Sequence, residues 1–243
     1  MIKLVYCVRR LPHLSMPEFQ AHWLEHHSQF GPRVKSIRRY VQYHVLQDDP
    51  IREAMAQAGV SKVEPFDGVA MAWFDDLKSL RADVSANPAV AEALEDEKHF
   101  IDHSRTTACV TEEHVVVEPV GKAQYVLLEI LRRRSDIDRK RFSELWKHHA
   151  HIGKRAHETG LLMGYIQNHT LLGDDGGVPG LGDGKEPFDG VVSAYFDSVA
   201  KFKALVMSPL ASQESYEDEK KFIDHSQSVD MLTRRHVIKD LIR

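Results

Sequence analysis

The sequence predicts an α+β fold built from two ferredoxin-like βαββαβ repeats that pack sheet to sheet. The first observation is an internal repeat: the run Glu-Asp-Glu-Lys-His-Phe-Ile-Asp-His-Ser at residues 95–104 returns at residues 217–226 with nine of ten positions identical. The second is the same predicted order of strands and helices in each copy. The third is that such a sheet carries helices on one face only, so its other face needs a cover. The second copy supplies that cover at high effective concentration, which predicts one intramolecular α+β barrel.

Each repeat is predicted to open with a strand and an amphipathic helix. Residues 2–8 and 125–131 are apolar and rich in β-branched side chains, as strands are. Ser15 and Asp138 precede segments whose apolar positions recur at steps of three and four, which is typical of a helix with one buried stripe. The stripes match between the copies at an offset of 123: Phe19 with Phe142, Trp23 with Trp146, and His26 with His149.

The remaining elements follow in the same order in both copies. Helical stretches lie between the last two strands of each copy, and Pro88 and Pro209 each start a new helix there. The further strands are predicted at residues 40–46, 66–74 and 107–117, and in the second copy at residues 165–171, 188–196 and 228–238.

The boundary between the repeats is predicted at residues 118–122. The run Glu-Pro-Val-Gly-Lys interrupts the strand pattern there and divides the chain into repeats 1–119 and 122–243. The links between the second and third strands differ between the copies. Residues 50–59 are expected to form a short helix, and the glycine-rich residues 173–184 a surface loop or lid.

The composition argues against several classes of function. The charged residues are of mixed, interspersed sign and sum to a formal net charge of −4, so no basic stripe is offered to a nucleic acid. No apolar run approaches the roughly 18 residues of a membrane span. The first residues do not resemble a secretory signal, which predicts a cytoplasmic protein. Cys7 and Cys109 are expected to be small core residues in a reducing compartment.

Several motifs together resemble a known family. The helix Phe19-x-x-x-Trp23-x-x-His26, the strand Tyr40-Val-Gln-Tyr-His44, the strand entry Pro-Phe-Asp-Gly-Val and the ending Phe-Ile-Asp-His-Ser resemble the EthD family of dimeric α+β barrel proteins, once per half. Members are usually single-domain homodimers, so the resemblance implies that the second copy stands in for a partner subunit. It also implies cofactor-free isomerase, dehydratase, cyclase or decarboxylase activity, with monooxygenases and haem-handling proteins in the same superfamily.

Histidine is the leading candidate for the chemistry, with 15 in the chain. His26 and His149 lie on helix stripes otherwise formed by Phe and Trp, so each imidazole needs a cavity or a hydrogen-bonding partner. Two interpretations stay open. Each histidine is either a general acid or base in a pocket between the helix and the sheet, or a core residue bonded to a backbone carbonyl or a strand side chain.

A second group of candidates lies on the strands that follow these helices. Alternation along a strand places three hydrogen-bonding side chains of each copy on one face, where they either line a pocket or bond to the partner sheet across the barrel. His44 and His169 are therefore further catalytic candidates. The predicted substrate-binding residues are Trp23, Trp146, Tyr40, Tyr165, Gln42 and Gln167.

The sequence predicts no metal and no cofactor. Imidazoles four residues apart share a helix face, so His22, His26 and His27 could hold a metal. The corresponding residues of the second copy are Leu145, His149 and Ala150, so the ligand set does not recur.

The resulting prediction is a cofactor-independent lyase or isomerase of the dehydratase, decarboxylase or cyclase type. Its substrate is expected to be a small aromatic, lactone or polyketide-like molecule, and its histidines to move protons. The alternative is a non-catalytic small-molecule-binding or stress protein, and an oxygenase or haem-handling protein comes third. Neither nucleic acid nor membrane is expected as a partner. Homodimerisation of whole chains, and whether the two pockets are equivalent, stay open.

Overall fold

The computed structural model describes residues 1–51, 63–172, 177–178, 181 and 186–242. The short helix expected within residues 50–59 and the lid expected at residues 173–184 lie largely outside the described residues. The division into repeats falls in the connection that follows Val117 and precedes Tyr125.

The predicted α+β barrel is confirmed. Eight strands form a closed barrel in the order β1-β3-β2-β8-β5-β7-β6-β4, and all described pairs of neighbours are antiparallel. The strands are β1 (Ile2–Val8), β2 (Arg39–Val45), β3 (Gly68–Phe74), β4 (Thr107–Val117), β5 (Tyr125–Leu131), β6 (Gly164–Thr170), β7 (Gly190–Phe196) and β8 (Val229–Asp240).

The two repeats are joined by hydrogen-bonded strand edges as well as by facing sheets. Strand β2 of the first repeat pairs with β8 of the second, and β4 of the first pairs with β6 of the second. Both crossings contain a register shift, at Tyr40/Val41 and at Val115/Val117. Because these pairings close the barrel, neither sheet is left with an open edge.

Each strand divides its side chains between the barrel interior and the helices outside. On β2, Val41, Tyr43 and Val45 belong to the inner core, which also holds residues of both repeats such as Met71 and Met231. The alternate side chains point outward, where the helices of each repeat cover them. The barrel thus buries the inner face of each sheet against the other repeat. The outer face of each sheet is covered by the helices of its own repeat.

The helices begin at the predicted caps. Ser15 forms a capping box with Glu18, and Asp138 accepts a hydrogen bond from the Arg141 amide. In the first repeat the helical elements are α1 (Met16–Ala21), a π-turn (His22–His26), a 3₁₀ turn (His27–Gln29), α2 (Phe30–Arg33), α3 (Leu77–Ala86) and α4 (Pro88–Glu97). In the second they are α5 (Arg139–Glu158), α6 (Val199–Val206), a π-turn (Leu210–Ser215) and α7 (Tyr216–Glu219).

Between its tryptophan and glycine contacts with the sheet, the first helical segment of repeat one has one residue more than α5 has between the corresponding contacts. Both ends are anchored alike: a methyl group on Gly68 or Gly190 would come within 2.3 Å of Trp23 or Trp146, respectively. At the other end, a methyl group on Gly31 or Gly153 would come within 2.5 Å of the ring of Tyr40 or Tyr165. Between the anchors the first repeat has seven residues (24–30) and the second six (147–152). The π-turn absorbs the extra residue, since its His27 N–H bonds to the His22 carbonyl.

Candidate functional site

Two cavities lie between the helices and the outer face of the barrel, one in each repeat. Their volumes are about 120 Å³ in the first repeat and about 90 Å³ in the second. An apolar cavity of about 150 Å³ binds benzene, so both cavities are somewhat smaller than a one-ring site. The corresponding residues that line both are Leu4 and Leu127, His27 and His149, Gly31 and Gly153, Tyr40 and Tyr165, and Glu97 and Glu219.

His27, and not His26, is the first-repeat counterpart of His149. The expectation that His26 is buried on the helix stripe is wrong, since 57% of its side chain is exposed, whereas 8% of the His27 side chain is. Each residue advances an α-helix by about 100°, and the π-turn after Trp23 moves the buried position on by one residue. The sequence carried a signal for this, because Gly31 and Gly153 match at an offset of 122, not 123.

Each cavity histidine is held by an aspartate of the repeated acidic motif. His27 Nδ1 lies 2.8 Å from Asp96 Oδ2, and His149 Nδ1 lies 2.7 Å from Asp218 Oδ2. Burial raises the pKa of Asp96, but hydrogen bonds from His27 and His22 outweigh it and bring that pKa below its usual value. An ionised aspartate accepts the Nδ1 proton and leaves the Nε2 lone pair of His27 directed at the cavity.

A glutamate faces the other ring nitrogen in both repeats. His27 Nε2 lies 3.8 Å from Glu97 Oε1, and His149 Nε2 lies 3.7 Å from Glu219 Oε1. Each imidazole therefore lies between an aspartate and a glutamate.

The glutamates are in turn bound by the histidines that end the repeated motif. His103 Nε2 lies 3.0 Å from Glu97, and His225 Nε2 lies 3.0 Å from Glu219. The hydrogen bond to Glu97 raises the pKa of His103. These contacts explain why the acidic motif is nearly identical in the two copies: its aspartate, second glutamate and histidine form one network beside the cavity.

The two cavities differ most where β1 and β5 contribute their central outward side chain. In the first repeat Tyr6 donates a hydrogen bond to Glu97 over 3.3 Å. In the second repeat the corresponding residue is Glu129, which lines the cavity and pairs in register with Asp230 of β8. Burial, reinforced by Asp230 and Glu219, raises the pKa of Glu129 well above its usual value. The second cavity thus contains a buried carboxyl group whose surroundings favour its protonated form.

The pKa values of Asp230 and Glu219, which lie in the same cluster, are shifted in opposite directions. Burial and the Glu219 charge raise the pKa of Asp230 to about 7. Burial also acts to raise the pKa of Glu219, but hydrogen bonds from His225 and Ser215 outweigh it and lower that pKa. Two neighbouring carboxyl groups of this cluster therefore have pKa values shifted apart, an arrangement typical of acid and base assignments in enzymes.

The second pair of predicted catalytic histidines lies outside both cavities. His44 stacks on Trp23 with ring centroids 4.5 Å apart and lies 3.0 Å from Gln42 Oε1. His169 lies 4.3 Å from the Trp146 ring and 3.2 Å from Gln167 Oε1. Burial lowers the pKa of each histidine to about 3, which keeps it neutral. These side chains face the helices of their own repeat and line neither cavity, but each also approaches a histidine on the neighbouring strand of the other repeat, with ring centroids 4.6 Å apart for His44 and His236 and 6.2 Å apart for His169 and His114.

The predicted substrate-binding residues divide into two groups. Tyr40 and Tyr165 line the cavities, and burial raises the pKa of Tyr40 to about 12 despite hydrogen bonds from Gln42 and Trp23. Gln42 and Gln167 instead bond to the main-chain carbonyls of Trp23 and Trp146, over 3.0 and 2.7 Å. The two tryptophans are almost fully buried and hold the helices on the sheet.

A further cavity of about 140 Å³ lies against the inner side of the barrel, where Arg39, Arg235 and Glu113 contribute to its lining. Nearby, Lys3 is buried and pairs with Glu113 over 2.5 Å. Burial lowers the pKa of Lys3 to about 8, although the Glu113 charge acts in the opposite direction. Sequence analysis did not find this lysine, because the alternation of β1 gives no sign that a charged residue turns inward.

A haem group does not fit the described cavities. Haem needs a planar slot larger than the pockets of roughly 300 Å³ at which ordinary ligand sites begin. The outer cavities are about 120 and 90 Å³, and buried residues such as Phe30, Leu80 and Phe196 form part of their walls.

The chain belongs to the EthD domain family. That family matches residues 11–104 and 134–226, so each repeat contains one EthD domain. No curated protein sequence matches the chain. Among the described residues, no helix is long and apolar enough to cross a membrane.

Similar solved structures extend over nearly the whole chain at low sequence identity. An anthrone oxidase-like protein has a TM-score of 0.62 and 7% identity, with 99% of this chain and 94% of that chain covered. A candidate monooxygenase from Lactobacillus acidophilus NCFM has a TM-score of 0.54 and 9% identity, with 99% and 96% covered. A chlorite dismutase variant from Candidatus Nitrospira defluvii has a TM-score of 0.53 and 9% identity, with 98% and 92% covered. At these identities the likeness concerns the fold.

Proposed function

We propose that the protein is a cofactor-independent acid–base enzyme of the lyase or isomerase type that acts on a small, largely apolar carbon acid. The observation that carries the proposal is the oriented Asp–His pair beside an apolar cavity, present in both repeats. A small aromatic, lactone or polyketide-like molecule suits the largely apolar lining of these cavities.

Proton removal is the first step that this geometry supports. The Nε2 atom of His27 or His149 takes a proton from a carbon next to a carbonyl group, and the electron pair moves to the carbonyl oxygen as an enolate. The Nδ1 proton stays bonded to Asp96 or Asp218, which stabilises the imidazolium as it forms. The hydroxyl groups of Tyr40 and Tyr165 are available as donors to the enolate oxygen.

The second step returns a proton and closes the reaction. Where a double bond is conjugated with the enolate, the imidazolium can protonate the γ-carbon of the resulting dienolate, which shifts the double bond and is an isomerisation. Alternatively, the enolate expels a leaving group from the β-carbon as an acid protonates that group, which is a lyase reaction such as dehydration. Glu129, whose pKa burial raises, makes the second cavity better suited to this role than the first, where Tyr6 is a much weaker acid.

An oxygenase is the second candidate. It is favoured by the descriptions of two similar structures, an anthrone oxidase-like protein and a candidate monooxygenase. Proton removal from the substrate would be shared by both candidates. Consumption of dioxygen distinguishes them, since an isomerase or a lyase of this kind uses none.

The test is hydrogen exchange of carbon acids in deuterated water. A panel of one-ring ketones, lactones and hydroxylated aromatic ketones is incubated with the protein and followed by NMR, with an oxygen electrode run in parallel. We expect catalysed deuterium uptake that is lost in the His27→Gln/His149→Gln double variant. Uptake of oxygen along with exchange favours the oxygenase. Binding of a probe without exchange or oxygen uptake would replace the proposal by the non-catalytic binding protein.

A further inference from the structure

Three histidines of the first repeat converge on one buried carboxylate. Asp96, which is 8% exposed, has contacts of 3.1 Å from its Oδ1 to His22 Nε2, 3.2 Å from Oδ1 to His26 Nδ1, and 2.8 Å from Oδ2 to His27 Nδ1. Only the last contact is repeated at Asp218 by His149. Two imidazoles thus share the Oδ1 atom in the first repeat, and the catalytic proposal uses neither of them.

The extra residue of the π-turn is what brings these two imidazoles together. In the second repeat the regular helix α5 carries Leu145 one turn before His149, and His148 is exposed to solvent. In the first repeat the wider turn keeps His22 and His26 on the side of Asp96, with ring centroids 4.9 Å apart. Such π-turns inside helices frequently mark functional sites.

We infer that His22, His26 and Asp96 form a binding site for a divalent first-row metal ion such as Zn²⁺ or Co²⁺. Their ligand atoms all lie within 4.8 Å of one another. In a tetrahedral site with bonds of about 2.0–2.1 Å, neighbouring ligand atoms are about 3.3 Å apart, close to the two distances at Oδ1. His26 is largely exposed, so its ring is free to close on an ion.

The surroundings of the three ligands suit an ion that keeps open coordination positions. Two imidazoles and one carboxylate leave at least one position for water in a tetrahedral site. His27 holds the second carboxylate oxygen, and a partner of this kind orients a ligand and strengthens binding. The sequence predicted no metal here because Asp96, the third ligand, lies on α4 and is far from the histidines along the chain.

The experiment measures metal binding by the untagged full chain, after treatment with chelator and dialysis, at pH 7.5 because protons compete with metal ions for their ligands. We expect one equivalent of Co²⁺ by titration calorimetry, with visible absorption bands that Zn²⁺ abolishes. His22→Gln and His26→Gln should each weaken binding by at least about 10²-fold, the upper range for the loss of a supporting partner alone. The ion should also raise the Tm of the wild type and leave the Tm of His26→Gln unchanged.

The second repeat provides matched controls. His148→Gln and Asp218→Asn change the corresponding residues and should leave the stoichiometry and affinity as in the wild type. Asp96→Asn should lose the ion, and a normal unfolding curve for His26→Gln excludes misfolding as the cause of a loss. Binding that survives in a His22→Gln/His26→Gln double variant, or no binding by the wild type, would overturn the inference.

Discussion

The two repeats contain the same Asp–His–Glu arrangement around cavities of unequal character. The distances from each histidine to its aspartate and glutamate agree within 0.1 Å between the copies, at 2.8 and 3.8 Å against 2.7 and 3.7 Å. Around this shared frame the first repeat has Tyr6 and Ala93 where the second has Glu129 and Ser215. The comparison teaches that the two copies share the histidine and its two carboxylate contacts, whereas the neighbouring residues of the cavities differ.

The largest expected effect is on turnover. Replacing His149 by Gln should lower it by about 10²- to 10⁴-fold, the usual range for loss of a general acid or base. His27→Gln should lower it less, because the first cavity lacks a strong acid. The turnover of both variants is measured by steady-state kinetics, and thermal unfolding checks that each variant is folded. His26→Gln is the control and should retain full activity, and equal losses at positions 27 and 149 would argue that the cavities work alike.

The next effect concerns the acid of the second cavity. Glu129→Gln removes a carboxyl group whose pKa is raised by burial, and it should slow turnover by about 10- to 10²-fold. Tyr6→Phe makes the matching change in the first repeat and should alter turnover by less than about threefold. The pH dependence of kcat should lose its alkaline limb only in Glu129→Gln. A larger effect from Tyr6→Phe would move the active cavity to the first repeat.

A pH dependence of stability should distinguish the repeats as well. Burial and Glu219 raise the pKa of Asp230 from 3.8 to about 7 in the folded protein. Its stabilising contribution is therefore fully present below pH 3.8 and is lost as the pH rises to about 7, with a slope of up to about 1.4 kcal/mol per pH unit.

The matching variant for this prediction is Asp230→Asn, whose counterpart in the first repeat is already Ala108. Denaturant unfolding between pH 4 and pH 7.5 should show a shallower loss of stability in Asp230→Asn than in the wild type. Parallel curves for the two proteins would show that Asp230 does not keep its proton in the fold.

The smallest expected difference between the repeats is in the free energy of unfolding after replacement of the buried strand histidines, His44 and His169. Each of His44→Gln and His169→Gln should lower the free energy of unfolding at pH 7 by about 1–2 kcal/mol, through the lost contacts with glutamine and tryptophan. His169→Gln should cost slightly more, since Ser143 also bonds to His169 over 2.9 Å. Turnover should change little in either variant.

The same histidines predict an acid sensitivity of the wild type. The pKa of each is lowered from 6.5 to about 3 by burial, so the stability they confer is present above pH 6.5 and is lost as the pH falls towards 3. In both glutamine variants the free energy of unfolding, measured with urea, should fall less than in the wild type as the pH is lowered. A large loss of turnover without loss of stability would instead return His44 or His169 to the catalytic candidates.

Much of the fold could be predicted because its signals are local or repeated. The strands expected at residues 2–8, 107–117 and 125–131 have those bounds in the structure, since β-branched runs end at clear turn residues. The caps at Ser15 and Asp138 also form as expected. The site was predicted less well. A buried histidine was expected on the first helix of each repeat. His149 is buried as expected, but in the first repeat the buried histidine is His27 and not His26.

Sequence by itself determined the duplication, the order of the elements and the alternation of each strand, because these follow from patterns within a few residues or from direct identity between the copies. Tertiary structure alone decided which imidazole is buried. One extra residue between Trp23 and Gly31 moves the buried position along the helix by one residue, from His26 to His27. It also decided the partners of that imidazole. Asp96 and Glu97 reach His27 only when α4 packs beside the first helical segment, and no local pattern encodes that long-range contact.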